Sequence, residues 1–147
     1  MSIFIDTNIL VYAINKDSPY HIVGRGILDD ANNGNLHTFV SPQVLSELYA
    51  TLKNTSRIEN PLTPEDAYDV VRGLLDSEAI EKVYPKETTL NRGLLLAREN
   101  NVEAQDFFDV LIVATMLDND IDTIYTANED DFSKYNEINV YNPFRKK

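Results

Sequence analysis

Four acids sit where a carboxylate is either unexpected or well placed for chemistry: Asp6, Glu47, Asp109 and Asp131. Asp6 directly follows the apolar run Ile3-Phe4-Ile5. Glu47 falls in the second turn of a segment opened by Ser41-Pro42. Asp109 shares a helical face with Ile112, Val113 and Met116, and Asp131 closes the run from Thr126 through Asn128. An ionised carboxylate on an apolar stripe is costly unless it is paired or bound to a cation. Taken singly, each acid has a plainer role. Asp6 can cap the next helix, Glu47 can answer a helix dipole, and Thr126-Ala127-Asn128 with Asp131 can be a turn and a helix start. Asp106, one turn before Asp109, reads as a helix cap. The set carries the chemistry. Clustered carboxylates repel one another, and a hard cation such as Mg²⁺ or Mn²⁺ relieves this with oxygen ligands. One or two such ions can deprotonate a water and neutralise charge on a phosphodiester. His21 and His37 lack an evident Asp or Ser partner in the sequence and read as surface or loop residues.

The elements that must hold these acids follow from pattern. Ser2 to Ile5 is a short apolar strand, followed by helical spacing from Thr7 to about Asn15. Pro19 to about Asn32 reads as a helix ended by Asn33-Gly34, and Leu36 to Val40 as a second strand. Ser41-Pro42 caps a helix with Leu45, Leu48 and Leu52 on one face, and Thr63-Pro64 repeats the device after a polar loop from Asn54 to Leu62. Ile80 to Tyr84 is a strand, Lys86 to about Glu99 a helix, and a further helix runs from Asp106 to about Leu117. Thr123 to Thr126 and Ile138 to Tyr141 are the last strands. Strands alternating with helices call for a mainly parallel sheet covered on both faces. In such sheets ligands sit beyond the carboxyl ends of the strands, near the point where strand order reverses. That gives Asp6 special weight.

With 147 residues, the chain fits one domain over 1–147, without repeats or a dividing linker. Hydrophobic residues make up 43% and charged residues 25%, which argues against disorder. The absence of cysteine excludes a disulfide framework, a thiolate metal site and a cysteine nucleophile. The run Val110 to Leu117 is too short to span a bilayer. Met1 leads into the first strand without a basic, cleavable leader, so no membrane segment and a cytoplasmic location are expected. Thirteen Lys/Arg against 24 Asp/Glu give a net charge of −11, which speaks against a broad basic grip on nucleic acid. Between Val102 and Ser133 the imbalance is complete, with nine acids and no Lys or Arg. A bound cation would let such a protein accept a polyanion. The terminal Arg145-Lys146-Lys147 could touch phosphates or simply be solvated.

At these residues the chain resembles a known family. FIDTNIL (Phe4 to Leu10), SPQVLSEL (Ser41 to Leu48), FFDVLIVAT (Phe107 to Thr115) and YTANEDDF (Tyr125 to Phe132) are similar to the four signature blocks of PIN domains, in particular the ribonuclease toxins of VapBC toxin–antitoxin modules. No single block is specific; four in order are. The resemblance implies a Rossmann-like three-layer α/β/α sandwich with a mainly parallel five-stranded sheet. It further implies a Mg²⁺- or Mn²⁺-dependent endoribonuclease acting on RNA, a homodimer, and an antitoxin partner that inserts a peptide, often with a basic side chain, into the acidic pocket. Carried over residue by residue, Asp6, Glu47 and Asp109 match the metal-binding acids. Many members have Thr-x-Asp at the fourth position, and here that slot holds Asn128, with Asp131 three residues later; either could serve. Thr7, Asn8 and Thr126 match polar positions that support the ligands.

Other readings remain at this level. A phosphatase with an aspartate nucleophile usually shows a second aspartate two residues on, where this chain has Asn8. A receiver domain would need a lysine after a late strand, and Thr123 to Ser133 has none. A nuclease of RNA processing without a toxin role, or a non-catalytic module with an acidic binding pocket, would carry the same acids.

Overall fold

The structure is a computed structural model and describes residues 1–145; of the basic terminus, Lys146 and Lys147 lie outside the described residues. Five strands form one sheet: β1 (Ser2–Ile5), β2 (His37–Val40), β3 (Ile80–Lys82), β4 (Thr123–Tyr125) and β5 (Asn139–Tyr141). Their order is β3-β2-β1-β4-β5, and every pairing is parallel. The mainly parallel sheet expected from the sequence is therefore parallel throughout. β1 lies at its centre, with Phe4 level with Phe39 on one side and Ile124 on the other. From β1 the chain builds outward to β3 and then crosses back to place β4 on the opposite side of β1. The strand order reverses there, between the ends of β1 and β4.

Among the described residues seven α-helices connect the strands: α1 (Thr7–Ile14), α2 (His21–Asn32), α3 (Pro42–Leu52), α4 (Pro64–Asp76), α5 (Thr89–Glu99), α6 (Phe107–Asp118) and the single turn α7 (Glu129–Phe132). α1 packs on α2 and α3, and α3 on α4; α5 and α6 pack on each other. Right-handed crossovers in opposite directions put these two groups on opposite faces of the sheet, giving the three layers. Among the described residues no helix is long and apolar enough to cross a membrane.

The helix starts follow local chemistry. The Ser41 hydroxyl accepts from the Val44 amide and the Thr63 hydroxyl from the Asp66 amide, each followed by proline at the first helical position. Each such cap stabilises its helix by about 1 kcal/mol. α6 is more apolar than a one-sided stripe: Val110, Ile112, Val113, Ala114, Thr115 and Met116 are all buried, so it is covered nearly all round. Gly24 permits a close approach of α2 to α1, since a Cβ there would fall 2.8 Å from the Ala13 amide nitrogen.

Several boundaries differ from expectation. β3 ends at Lys82 rather than Tyr84, although the Val83 amide still donates to the Val40 carbonyl at 2.9 Å. α5 begins at Thr89, because the residues after Pro85 form a turn in which the Lys86 amide donates to the Thr89 hydroxyl. α2 begins at His21, two residues after Pro19. His37 does have an acidic neighbour: its Nε2 meets the Glu81 carboxylate across β2 and β3, a contact between exposed side chains.

Candidate active site

Asp6 ends β1 and is buried. Its Oδ1 accepts from the Thr7 amide at 2.8 Å, so the capping role is real. Its Oδ2 accepts from the Thr126 hydroxyl at 2.7 Å and the Asn8 amide at 3.2 Å. Thr126 directly follows β4 and Asn8 stands in the first turn of α1. The Asn8 carbonyl oxygen in turn accepts from the Ala127 amide at 3.0 Å. One side chain thus ties the ends of the two strands at the reversal point. Burial is the largest influence on Asp6 and raises its pKa; the three donors pull it back, and the charge of Glu47 raises it further.

Glu47 projects from the exposed side of α3. Its Oε2 accepts from the Thr7 hydroxyl at 3.0 Å, and its Oε1 from the Gln43 amide at 3.2 Å. Gln43 also donates to the Phe108 carbonyl at 3.0 Å, linking α3 to the start of α6. Asp109 stands in the first turn of α6, half-buried. Its carboxyl is pushed up to about 7, first by burial, then by the charges of Asp131, Asp6, Glu47 and Asp106. No side chain donates to it among the described hydrogen bonds. Its surroundings are therefore the reverse of those around Asp6.

Asp6, Glu47, Asp109 and Asn128 line one open cavity of about 500 Å³ beyond the carboxyl ends of the strands. Thr7 and Asn8 line it too, and Thr126 reaches it through Asp6. Its lining also includes Tyr12, Asn15 and Arg57; Arg57 is the one basic residue of the lining among the described residues. Asn128 faces the cavity with a side chain that makes no hydrogen bond among the described residues, while its backbone amide donates to the Thr126 hydroxyl. Asp131 does not line this cavity. The turn opening at Asn128 does form, with the Asp131 amide donating to the Asn128 carbonyl at 3.2 Å. It directs the Asp131 carboxylate to a neighbouring group, in which oxygens of Asp106, Asp109 and Asp131 all lie within 4.8 Å of one another.

Asp106 corrects the sequence reading. It occupies the cap position of α6, yet its side chain caps nothing, and the carboxylate turns to the other acids instead. The signal was present: it stands three residues before Asp109, one turn back on the same face. Tyr12 and Asn15 were also missed, although with Asn8 they repeat at helical spacing along α1. Arg57, in the polar loop, carried no signal.

The donor set suits a hard divalent cation. It consists of carboxylate oxygens with an amide oxygen at Asn128, and among the described residues the ammonium of Lys134 stands 3.8 Å from Asp106.

Comparisons with known proteins agree with this fold. The sequence profile of the PIN domain family matches residues 3–138. Ribonuclease VapC24 of Mycobacterium tuberculosis is 27% identical over 139 residues, covering 95% of this chain and 94% of that protein. Among solved structures, M. tuberculosis VapC20, a sarcin-ricin loop cleaving toxin, superposes with a TM-score of 0.67 at 17% identity, over 89% of this chain and 93% of the other. A toxin–antitoxin complex from Klebsiella pneumoniae gives 0.64 at 16% identity, over 99% and 100%. At such identities the structures speak to the fold.

Proposed function

The chain belongs to the PIN domain family, and from that premise we propose that it is an endoribonuclease dependent on Mg²⁺ or Mn²⁺, and the toxin of a toxin–antitoxin pair. The observation that carries this reading is the convergence of Asp6, Glu47 and Asp109, from β1, α3 and α6, on one cavity at the strand-order reversal. The ribonuclease relative over nearly the whole chain supports the substrate class, and the toxin–antitoxin structural neighbour supports a protein partner. In this reading the PIN domain occupies 1–147 of a cytoplasmic homodimer, and an antitoxin peptide with a basic side chain enters the acidic cavity.

Asp6, Glu47 and Asp109 are the metal ligands, with Asp131 as the fourth acid of the catalytic group. A bound Mg²⁺ or Mn²⁺ ion supplies the charge that acidifies water and offsets the negative phosphodiester. The residues do the rest. Thr7, Asn8 and Thr126 fix Asp6 and Glu47 in one geometry before any ion arrives, which limits the reorganisation that binding demands. Asn128 offers an amide oxygen at the cavity edge. Arg57, in the same lining, takes a phosphate of the RNA strand, and Tyr12 there offers a face for a base.

The test is cleavage of a labelled RNA by the purified chain with Mg²⁺, Mn²⁺ or EDTA, alongside Glu47→Gln. Metal-dependent cleavage lost in the variant is the expected result. Cleavage that survives both EDTA and the substitution overturns the reading.

A further inference from the structure

A second cavity, of about 390 Å³, opens beside the acidic one. Tyr12 and Asn128 line both, so the two are continuous. The second brings in Tyr20, directly before α2, and Asn142, Phe144 and Arg145, from the segment after β5. Three aromatic rings meet there. The ring centres of Tyr12 and Tyr20 lie 5.1 Å apart, those of Tyr12 and Phe144 5.0 Å, and those of Tyr20 and Phe144 5.2 Å. The angles between their planes are 56°, 86° and 52°, so no two of them stack face to face. Tilted rings cover one another's faces less than a parallel stack does, and Tyr20 stays 43% exposed. A cluster serving only the core would be closed over. This one borders an open cavity.

Polar bonds hold the end of the chain in place there. The Asn142 side-chain amide reaches the Ala127 carbonyl and the Glu129 carboxylate, each at 3.4 Å, and its oxygen accepts from the Phe144 amide at 2.9 Å. The Arg145 guanidinium pairs with Glu129, the one acid of this lining among the described residues, and cancels its charge. Phe144 is thus fixed against Tyr12 and Tyr20 by the same loop that carries Asn128.

We propose that Tyr12, Tyr20 and Phe144 form a base-binding subsite for single-stranded RNA, which seats a nucleotide next to the phosphodiester at the acids. This rests on the reading of the chain as a ribonuclease. A chain of net charge −11 repels most phosphates of the strand, so affinity has to come from contacts that charge does not oppose. Stacking of a base on an aromatic ring is such a contact, and every base has the face it needs. RNA is favoured over a peptide because the lining shared with the acids puts the subsite on the substrate's own path.

The chain has no tryptophan, so Phe144→Trp installs a single reporter inside the subsite. Short oligouridylate and oligoadenylate, mixed with this variant in Mg²⁺, are expected to quench the indole fluorescence saturably, before any cleavage. Ribose 5-phosphate, which carries no base, is expected to leave it unchanged. In cleavage assays Tyr20→Leu and Phe144→Leu keep an apolar side chain and remove the ring, with circular dichroism reporting the fold. Each is expected to raise KM about 10-fold or more with kcat unchanged, the loss of one stacking contact made equally in ground and transition states. An indole that neither oligonucleotide quenches, or a parental KM in both leucine variants, overturns the subsite and leaves the nuclease reading standing. The rings then pin the chain end or receive a protein partner. Saturable quenching in a protein whose parent cleaves no RNA keeps the subsite and removes the nuclease.

Discussion

The two ends of α6 each carry a half-buried aspartate, and the protein treats them in opposite ways. Asp118, at the last turn, accepts from the hydroxyls of Thr88 and Thr89 at 2.9 and 2.6 Å and from the Arg92 guanidinium at 2.5 Å. Burial works against its charge, but these donors outweigh it and hold the carboxyl below its usual range. Asp109, at the first turn, receives no such donors and faces four other acids instead. One carboxylate is finished by the chain and fastens α5 to α6. The other receives no donor from the chain, and a proton or, in the proposed reading, a bound cation offsets its charge. Donors therefore separate these two carboxylates: Asp118 has its own, whereas Asp109 has other acids around it.

The strongest way to break this contrast is Asp109→Asn. Cleavage is expected to fall about 100-fold or more, the loss of several kcal/mol of charge stabilisation. At the same time the melting temperature in EDTA should rise, because a repelled, partly desolvated charge has gone. A variant that melts earlier and still cleaves would make Asp109 another Asp118. Asp6 sharpens the contrast, being a cavity acid that nevertheless has three donors. Asparagine there would set an amide against Thr126 and Asn8, so Asp6→Asn should lose both cleavage and metal-free stability. Thr126→Val removes one of those donors and is expected to lower Mn²⁺ affinity about 10-fold, measured by calorimetric titration.

The pH dependence separates the two ends of the helix by sign. Asp109 holds its proton up to about pH 7 in the folded chain but only to about pH 3.9 when unfolded, so between these values the folded state binds more protons. Metal-free stability should accordingly decline as pH rises through that window, while Mn²⁺ affinity climbs. Melting in EDTA at pH 5.5 and 8 checks this, and the decline should shrink in Asp109→Asn. For Asp118 the folded pKa is lowered, so its contribution is present at neutral pH and is lost only as acid protonates it. The smallest effect belongs to Asp118→Asn, expected to destabilise by about 1–2 kcal/mol, as befits charge-assisted hydrogen bonds near the surface. Cleavage by its folded fraction should stay near the parent rate.

How much of this was legible in the sequence depended on how far each signal reached. Strand and helix alternation is local, so the order of elements and the strand-end position of Asp6 followed from pattern. Glu47 and Asp109 were visible as acids in the early turns of apolar helices. The contrast between Asp109 and Asp118 was not visible, because it lies in donors from α5, 26 to 30 residues away. Asp106 was misread because a cap and one acid of a group look alike when the next turn's neighbours are unknown. Phe144 offered nothing before folding, since its meaning comes only from the rings of Tyr12 and Tyr20 beside it. Strand ends, too, shifted by one or two residues where turns such as that after Pro85 took over backbone bonds.

The hydrogen bond from Thr126 to Asp6 spans 120 positions in the chain, and β1 meets β4 across almost the same distance. β1 is made well before β4, so it waits for one of its two neighbours while the residues between them are synthesised. At about 5–20 residues per second, that interval is roughly 6–24 s. Throughout it the nascent chain has one flank of its central strand open and its first acid without the Thr126 donor. The Asp6 side of the cavity thus cannot assemble until β4 and Thr126 have been made, and a copy cut short before them lacks it by construction.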